Sequence, residues 1–209
     1  MDYLTIRHHI LEEFIVKKSK FIINCYCVND EKSAIDYLKD IQKLHYKATH
    51  NTYAYIIGEK KGIQKFSDDG EPSGTAGKPI FEVISQNDLT NILIIVTRYF
   101  GGIKLGAGGL VRAYSNSAKL GINSCEIIKM QYSALYKITS DYNLFGKLQD
   151  YLNNNKNIIL HEIIYEDQVY IYIYLSIINK KKIIDDLIEI SNDSIKYNLL
   201  KEEYIPIAI

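Results

Sequence analysis

The chain has 209 residues, enough for one large or two small domains, and its 25 basic and 25 acidic side chains cancel. That balance excludes a protein that holds nucleic acid by bulk charge; only local patches remain to bind a polyanion. Three cysteines, an odd number, speak against a disulfide scaffold, and no apolar run reaches the ~18 residues of a membrane span.

The first residues, Met1 to His8, carry no apolar signal-peptide core, so a cytoplasmic chain is expected. Phe21 to Val28 is rich in β-branched and aromatic residues and predicts a strand. Cys25 and Cys27 lie two apart in it and read as small apolar residues, because no further ligand follows at zinc-site spacing. Asn29 or Asp30 is placed to cap a helix from Glu31 to about Lys47, in which Ala34, Tyr37, Leu38, Ile41 and Leu44 recur at helical spacing. Asn51 to Gly58 predicts a strand, Lys60 to Gly62 a hairpin turn, and Ile63 to Phe66 a short return strand.

Ser67 to Ile80 holds two of the three prolines and three glycines, which predicts an ordered loop followed by a short helix over Phe81 to Ser85. Ile92 to Thr97 is apolar throughout, as a central strand covered on both faces would be. Five of the twelve glycines then crowd into Gly101 to Gly109, so a buried strand runs into a glycine-rich loop that opens a helix over Leu110 to Ile122. Leu110, Ala113, Tyr114, Ser117, Ala118 and Gly121 form a small-residue stripe for close packing, and Arg112, Asn116, Lys119 and Asn123 a polar one.

Free backbone N–H groups at a helix start bind anions, and Arg98, Lys104 and Arg112 add positive charge around this loop. Lys78, Arg98, Tyr99, Gly101, Gly102, Lys104, Gly108, Gly109 and Arg112 are therefore the candidate anion- or nucleic-acid-binding residues. A purely structural loop, whose glycines let a helix pack on a sheet, stands beside that reading. His50, Asp68, Asp69 and Glu71 make a conceivable acid–base set, but adjacent aspartates in a turn favour a structural role, with no metal and no cofactor expected.

Composition shifts near residue 126: glycine nearly vanishes, and isoleucine and tyrosine alternate. Residues 1–130 carry 17 Lys+Arg and 14 Asp+Glu, or +3, and residues 131–209 carry 8 and 11, or −3. Strands over Tyr132 to Thr139, Ile158 to Tyr165, Val169 to Ile177 and Ile195 to about Ile205 alternate with helices marked by Leu144 to Leu152 and Ile183 to Ile188. The order β-α-β-β-α-β is the ferredoxin-like plan. Tyr170, Tyr172 and Tyr174 should share the open sheet face, as packing groups or as a base-stacking platform; with no basic residue interleaved among them, packing is preferred.

Lys17 to Ile22, Ala48 to Asn51, Tyr53 to Tyr55, Ser67 to Ile80 and Arg98 to Tyr114 together resemble the IMPACT/YigZ family over roughly residues 15–122. The tail after residue 130 resembles, by layout, the extra domain of the bacterial YigZ branch. The resemblance implies an α+β chain of two domains. Residues 1–128 would be an IMPACT-type domain folded like ribosomal protein S5 domain 2, and 131–209 a ferredoxin-like domain similar to the last domain of translocase-type elongation factors. It also implies a cytoplasmic partner of RNA, the ribosome or translation factors. Eukaryotic IMPACT proteins regulate translation by competing for the activator of an amino-acid-starvation kinase through an additional N-terminal domain, a role not carried over here. A non-catalytic RNA-associated binding protein is the preferred expectation. An enzyme acting on a phosphorylated or carbonyl small molecule, and a protein-interaction module in translational control, are the alternatives. Oligomeric state is not fixed by the sequence.

Overall fold

The computed structural model describes residues 2–207, which divide into two units, 2–129 and 130–207. The chain is α+β, with ten strands and five helices among the described residues.

In the first unit, β2 (Ile10–Val16), β3 (Ser19–Cys27), β6 (Ile92–Tyr99), β4 (His50–Ile57) and β5 (Ile63–Ser67) form one sheet in that order. The pairs β2–β3, β3–β6, β6–β4 and β4–β5 are all antiparallel. β6 is the middle strand, and Ile92 to Val96 are each fully buried because both sheet faces are covered. Ile92, Ile94 and Val96 pack with α2 (Gly77–Gln86) and α3 (Ala107–Ser124), through Ile80, Ile84, Ala113, Tyr114 and Ala118. Leu93 and Ile95 pack on the other face with Ala34 and Ile41 of α1 (Glu31–Leu44).

Capping sets several boundaries. Asp30 accepts the Ser33 N–H at 2.7 Å and fixes the start of α1. α2 begins at Gly77, inside the stretch predicted to be loop. Its own N-cap, Ala76, has no side-chain acceptor, and Asp68 supplies one from eight residues upstream: Oδ1 accepts from Ala76 N and Oδ2 from Gly74 N. α3 starts three residues before the predicted Leu110, so Gly108 and Gly109 lie in its first turn and Arg112 in its second. The small-residue stripe predicted for this helix is buried throughout. β2 and its hairpin with β3 have no counterpart in the sequence expectations; nor has β1 (Tyr3–Ile6), beside which Arg7 N–H donates to the Glu126 carbonyl at 2.9 Å.

In the second unit, β7 (Ile127–Ser140), α4 (Tyr142–Asn154), β8 (Ile158–Tyr165), β9 (Val169–Ser176), α5 (Lys180–Ser191) and β10 (Lys196–Ile207) follow one another. The sheet runs β10-β7-β9-β8. Ile138, Val169, Ile171, Ile173 and Leu175 form its core with Leu148, Leu152, Ile183, Ile184 and Leu187 of the two helices. Tyr170, Tyr172 and Tyr174 take the opposite face. A basic residue does stand among them, contrary to the sequence expectation. Lys137, paired with Tyr172 across the strands, places Nζ 3.9 Å over the Tyr170 ring. That ring face is covered by an ammonium group. Tyr174 is nearly buried, and its hydroxyl donates to Glu203 at 2.6 Å.

Candidate functional site

The end of β6 sets the site. In register, Arg98 lies opposite Phe21 of β3 and His50 of β4. Its side chain turns inward, only 5% of the residue is exposed, and NH1 donates to Glu71 Oε1 at 2.6 Å. Tyr114 of α3 donates its hydroxyl to the same oxygen at 2.7 Å. Burial, the Glu71 hydrogen bond and the Glu71 charge push the Tyr114 hydroxyl well above the usual tyrosine range. The carboxylate and the guanidinium pair with almost no water contact, and the tyrosine serves as a fixed donor.

His50 completes the cluster. Its Nδ1 is 2.7 Å from the Asp69 carbonyl oxygen, which can only accept, so Nδ1 carries a proton. Nε2 then faces Glu71 Oε1 at 3.8 Å. Asp68 is occupied by the Gly74, Ala76 and Gly77 N–H groups, and Asp69 Oδ2 accepts the Asn51 N–H at 2.5 Å. Of the conceivable acid–base set, His50 and Glu71 line the cavity beside the start of α3, and Asp68 and Asp69 do not. Among the described residues no group of three or more His, Cys, Asp or Glu side chains is placed to hold a metal ion.

The glycine loop is fixed by a close approach. A Cβ on Gly101 would lie 2.0 Å from the Lys18 carbonyl carbon, so only glycine fits against the β2–β3 turn. Ser19 Oγ joins the two segments, accepting from Gly101 N at 3.2 Å and Arg98 NH2 at 3.3 Å. In the turn, Lys17 and Lys18 have φ of 45° and 65°. Two-residue hairpin turns with both φ values positive favour Asn-Gly, so two lysines there are unusual. α3 then opens with Gly106 as N-cap, no capping side chain and no acidic residue in its first turn. Beside it lies a cavity of about 340 Å³. Thr49, His50, Glu71, Arg98 and Lys104 are its polar lining, and Pro72, Phe100, Leu105 and Leu110 its apolar lining. A second hollow of about 240 Å³ shares Leu105 and is lined by Lys17, Gly109, Arg112 and Asn116.

The predicted binding residues thus separate. Arg98 is locked in its pair with Glu71. Lys78 is exposed on α2 with Glu82 Oε1 3.9 Å away, and lines neither hollow. Tyr99 is half-buried, its hydroxyl 3.0 Å from His45 Nδ1. Gly101 and Gly102 shape the loop, the latter at φ +84°. Lys104 and Arg112 are exposed, and Arg112 NH1 folds back to 3.7 Å from the place a Gly108 Cβ would take. Sequence reasoning missed Lys17, Lys18 and Tyr114 as parts of this region. No sequence signal marked the lysines: only the strand register shows that Val16 and Ser19 bracket a two-residue turn.

An α+β protein emerges whose first unit sets an uncapped helix start and a glycine loop beside a partly charged cavity. The family model for the Impact N-terminal domain matches residues 17–122, which contain the whole of this region. The chain belongs to the IMPACT family. It is 42% identical over 168 residues to the IMPACT family member YvyE of Bacillus subtilis (strain 168), covering 80% of this chain and 77% of that protein. It is 39% identical over 107 residues to the IMPACT family member YigZ of Escherichia coli (strain K12), covering 50% of this chain and 52% of the relative. A crystal structure titled as that of a hypothetical protein superimposes with a TM-score of 0.62 at 25% identity, covering 97% of this chain and 98% of that one. No helix among the described residues is long and apolar enough to cross a membrane.

Proposed function

We propose that this protein is a non-catalytic binding protein of the cytoplasmic translation machinery that grips RNA backbone phosphates at the Gly101–Gly109 loop. Membership of the IMPACT family supports a translation-related regulatory protein at the level of the family. The first unit reads as a fold of the S5 domain 2 kind. The strand order β10-β7-β9-β8 supports a ferredoxin-like second unit.

One observation carries the binding site: the contact of Gly101 with the Lys18 backbone brings the Lys17–Lys18 turn against the glycine loop. Lys17 and Arg112 line the same hollow. Among the described residues, neither they nor Lys18 and Lys104 have an acidic side chain in ion-pair range. Arg112 folds back over the start of α3, where a cation opposes the helix dipole unless an anion sits between them. Lysines held at positive φ, where other residues fit better, point the same way: strain observed at a site is a reason to look for function.

The test is fluorescence anisotropy with a single-stranded RNA across a salt series. Each phosphate contact removed should flatten the slope of log affinity against log salt by about 0.7. Arg112→Ala and the double change Lys17→Ala with Lys18→Ala should each weaken binding at low salt. Wild-type protein without RNA affinity at low salt would refute the proposal.

A further inference from the structure

We infer that the cavity between the glycine loop and β4 is a ligand site for a phosphorylated nucleotide. The nucleotide would be a free nucleoside 5′-monophosphate or the 5′-phosphorylated end of an RNA strand. This goes beyond backbone binding, because it gives the cavity its own occupant, whereas the RNA reading rests on Lys17 and Arg112 at the neighbouring hollow and on Lys18 beside Lys17 in the turn.

Four features of the cavity define the ligand. Its size, about 340 Å³, is at the lower end of the ~300–1,000 Å³ of small-molecule sites, too large for a lone phosphate and right for one nucleotide. Its charge favours an anion. Glu71 and Arg98 cancel, while Lys104 and the start of α3 remain, with Gly106 and Ala107 lining the cavity and no side chain capping the helix. Its apolar wall includes Phe100, whose ring already lies 5.5 Å from the Arg98 guanidinium and is 46% exposed. Such a ring offers a flat base a stacking surface.

The buried polar groups supply the fourth feature. Arg98 and Tyr114 both donate to Glu71 Oε1, and a carboxylate has about four acceptor sites, so Glu71 keeps capacity for a donor such as a base amino group. Arg98, 95% buried by its exposure of 5%, has an Nε–H without a partner and lines the same cavity. A phosphate at the start of α3, a base on Phe100 with its N–H groups toward Glu71, and a base carbonyl oxygen accepting from the Arg98 Nε–H use all of these at once.

The experiment is calorimetric titration of the full chain with GMP, AMP, guanosine and inorganic phosphate, followed by 5′-phosphoryl and 5′-hydroxyl forms of one short RNA. Saturable binding of a monophosphate, weakened roughly tenfold or more in the nucleoside, is expected, because the helix start and Lys104 act on the phosphate alone. Ala107→Glu places a carboxylate at the exposed first position of α3, where it favours the helix and competes with the phosphate; it should keep the melting temperature and lose the monophosphate. If the 5′-phosphoryl RNA alone binds better than its 5′-hydroxyl form and the monophosphates do not bind, the ligand is an RNA end. Neither preference in the wild type, or monophosphate binding untouched by Ala107→Glu, overturns the inference. The double change Lys17→Ala with Lys18→Ala separates it from the RNA-backbone reading, since it should weaken RNA and leave the monophosphate bound.

Discussion

Glu71 is the side chain whose removal should cost the first unit most. Its carboxylate is 3% exposed, the partnered Arg98 guanidinium 6%, and their contact is 2.6 Å. Removing one member of a buried pair strands the other charge without water, at a cost of about 3–5 kcal/mol. Glu71→Ala also takes the acceptor from the Tyr114 hydroxyl, so it belongs at the upper end; Glu71→Gln keeps an acceptor oxygen and belongs at the lower. Replacing both members, Glu71→Leu with Arg98→Met, removes the stranded charge and should recover most of the loss. Urea unfolding followed by tyrosine fluorescence and circular dichroism reads this out. With urea slopes of about 1–3 kcal/mol/M, Glu71→Ala should lower the midpoint by about 2 M. Hydrogen exchange should assign the transition that moves to residues 2–129, the unit that holds the pair. A loss below about 1 kcal/mol, the range of exposed pairs, would refute the idea that this pair is the electrostatic centre of the unit.

Gly101→Ala forces the loop away from the Lys18 backbone and should cost about 1–3 kcal/mol in unfolding experiments while weakening RNA, whereas Arg112→Ala should stay within about 0.5 kcal/mol of wild type. Asp68→Ala removes the acceptor of three loop and helix N–H groups; thermal unfolding should register a loss of about 0.5–2 kcal/mol, the range of a lost helix cap. Burial and Lys20 lower the pKa of His45, so its contribution to stability is present above the ordinary histidine value of about 6.5 and is lost as pH falls through the lowered one. Stability measured from pH 7.5 downward should therefore decline once the pH falls below the ordinary histidine value, and His45→Gln should flatten the curve. The raised Tyr114 pKa acts in the opposite direction: its contribution holds below about pH 10 and declines above it, a decline that Tyr114→Phe should reduce.

Those features of the fold that rest on contiguous pattern could be read from the sequence. Ile92 to Val96 announced a doubly covered strand because an unbroken apolar run has few other uses, and the alternation of Val169 to Leu175 fixed which residues face the helices of the second unit. What stayed hidden depends on partners distant in sequence. The β2–β3 hairpin escaped because Lys17-Lys18 lacks turn chemistry; its positive φ values are imposed by strand pairing from Ile10 to Cys25. The start of α2 escaped because its cap, Asp68, is outside the helix and the intervening Pro and Gly residues read as loop. Lys137 escaped as a neighbour of Tyr170 because it approaches from across the sheet.

The candidate site has the same non-local character, and this ties its stability to its shape. Arg98 was expected to touch an anion; burial makes its pairing with Glu71 its main occupation, and the exposed charge passes to Lys17, Lys18, Lys104 and Arg112. Yet Arg98 still acts on the loop, because Ser19 Oγ accepts from both its guanidinium and the Gly101 N–H. The buried pair positions Ser19, Ser19 positions Gly101, and Gly101 holds the lysine turn against the start of α3. A ligand that binds at that start therefore meets a geometry set by side chains it does not touch.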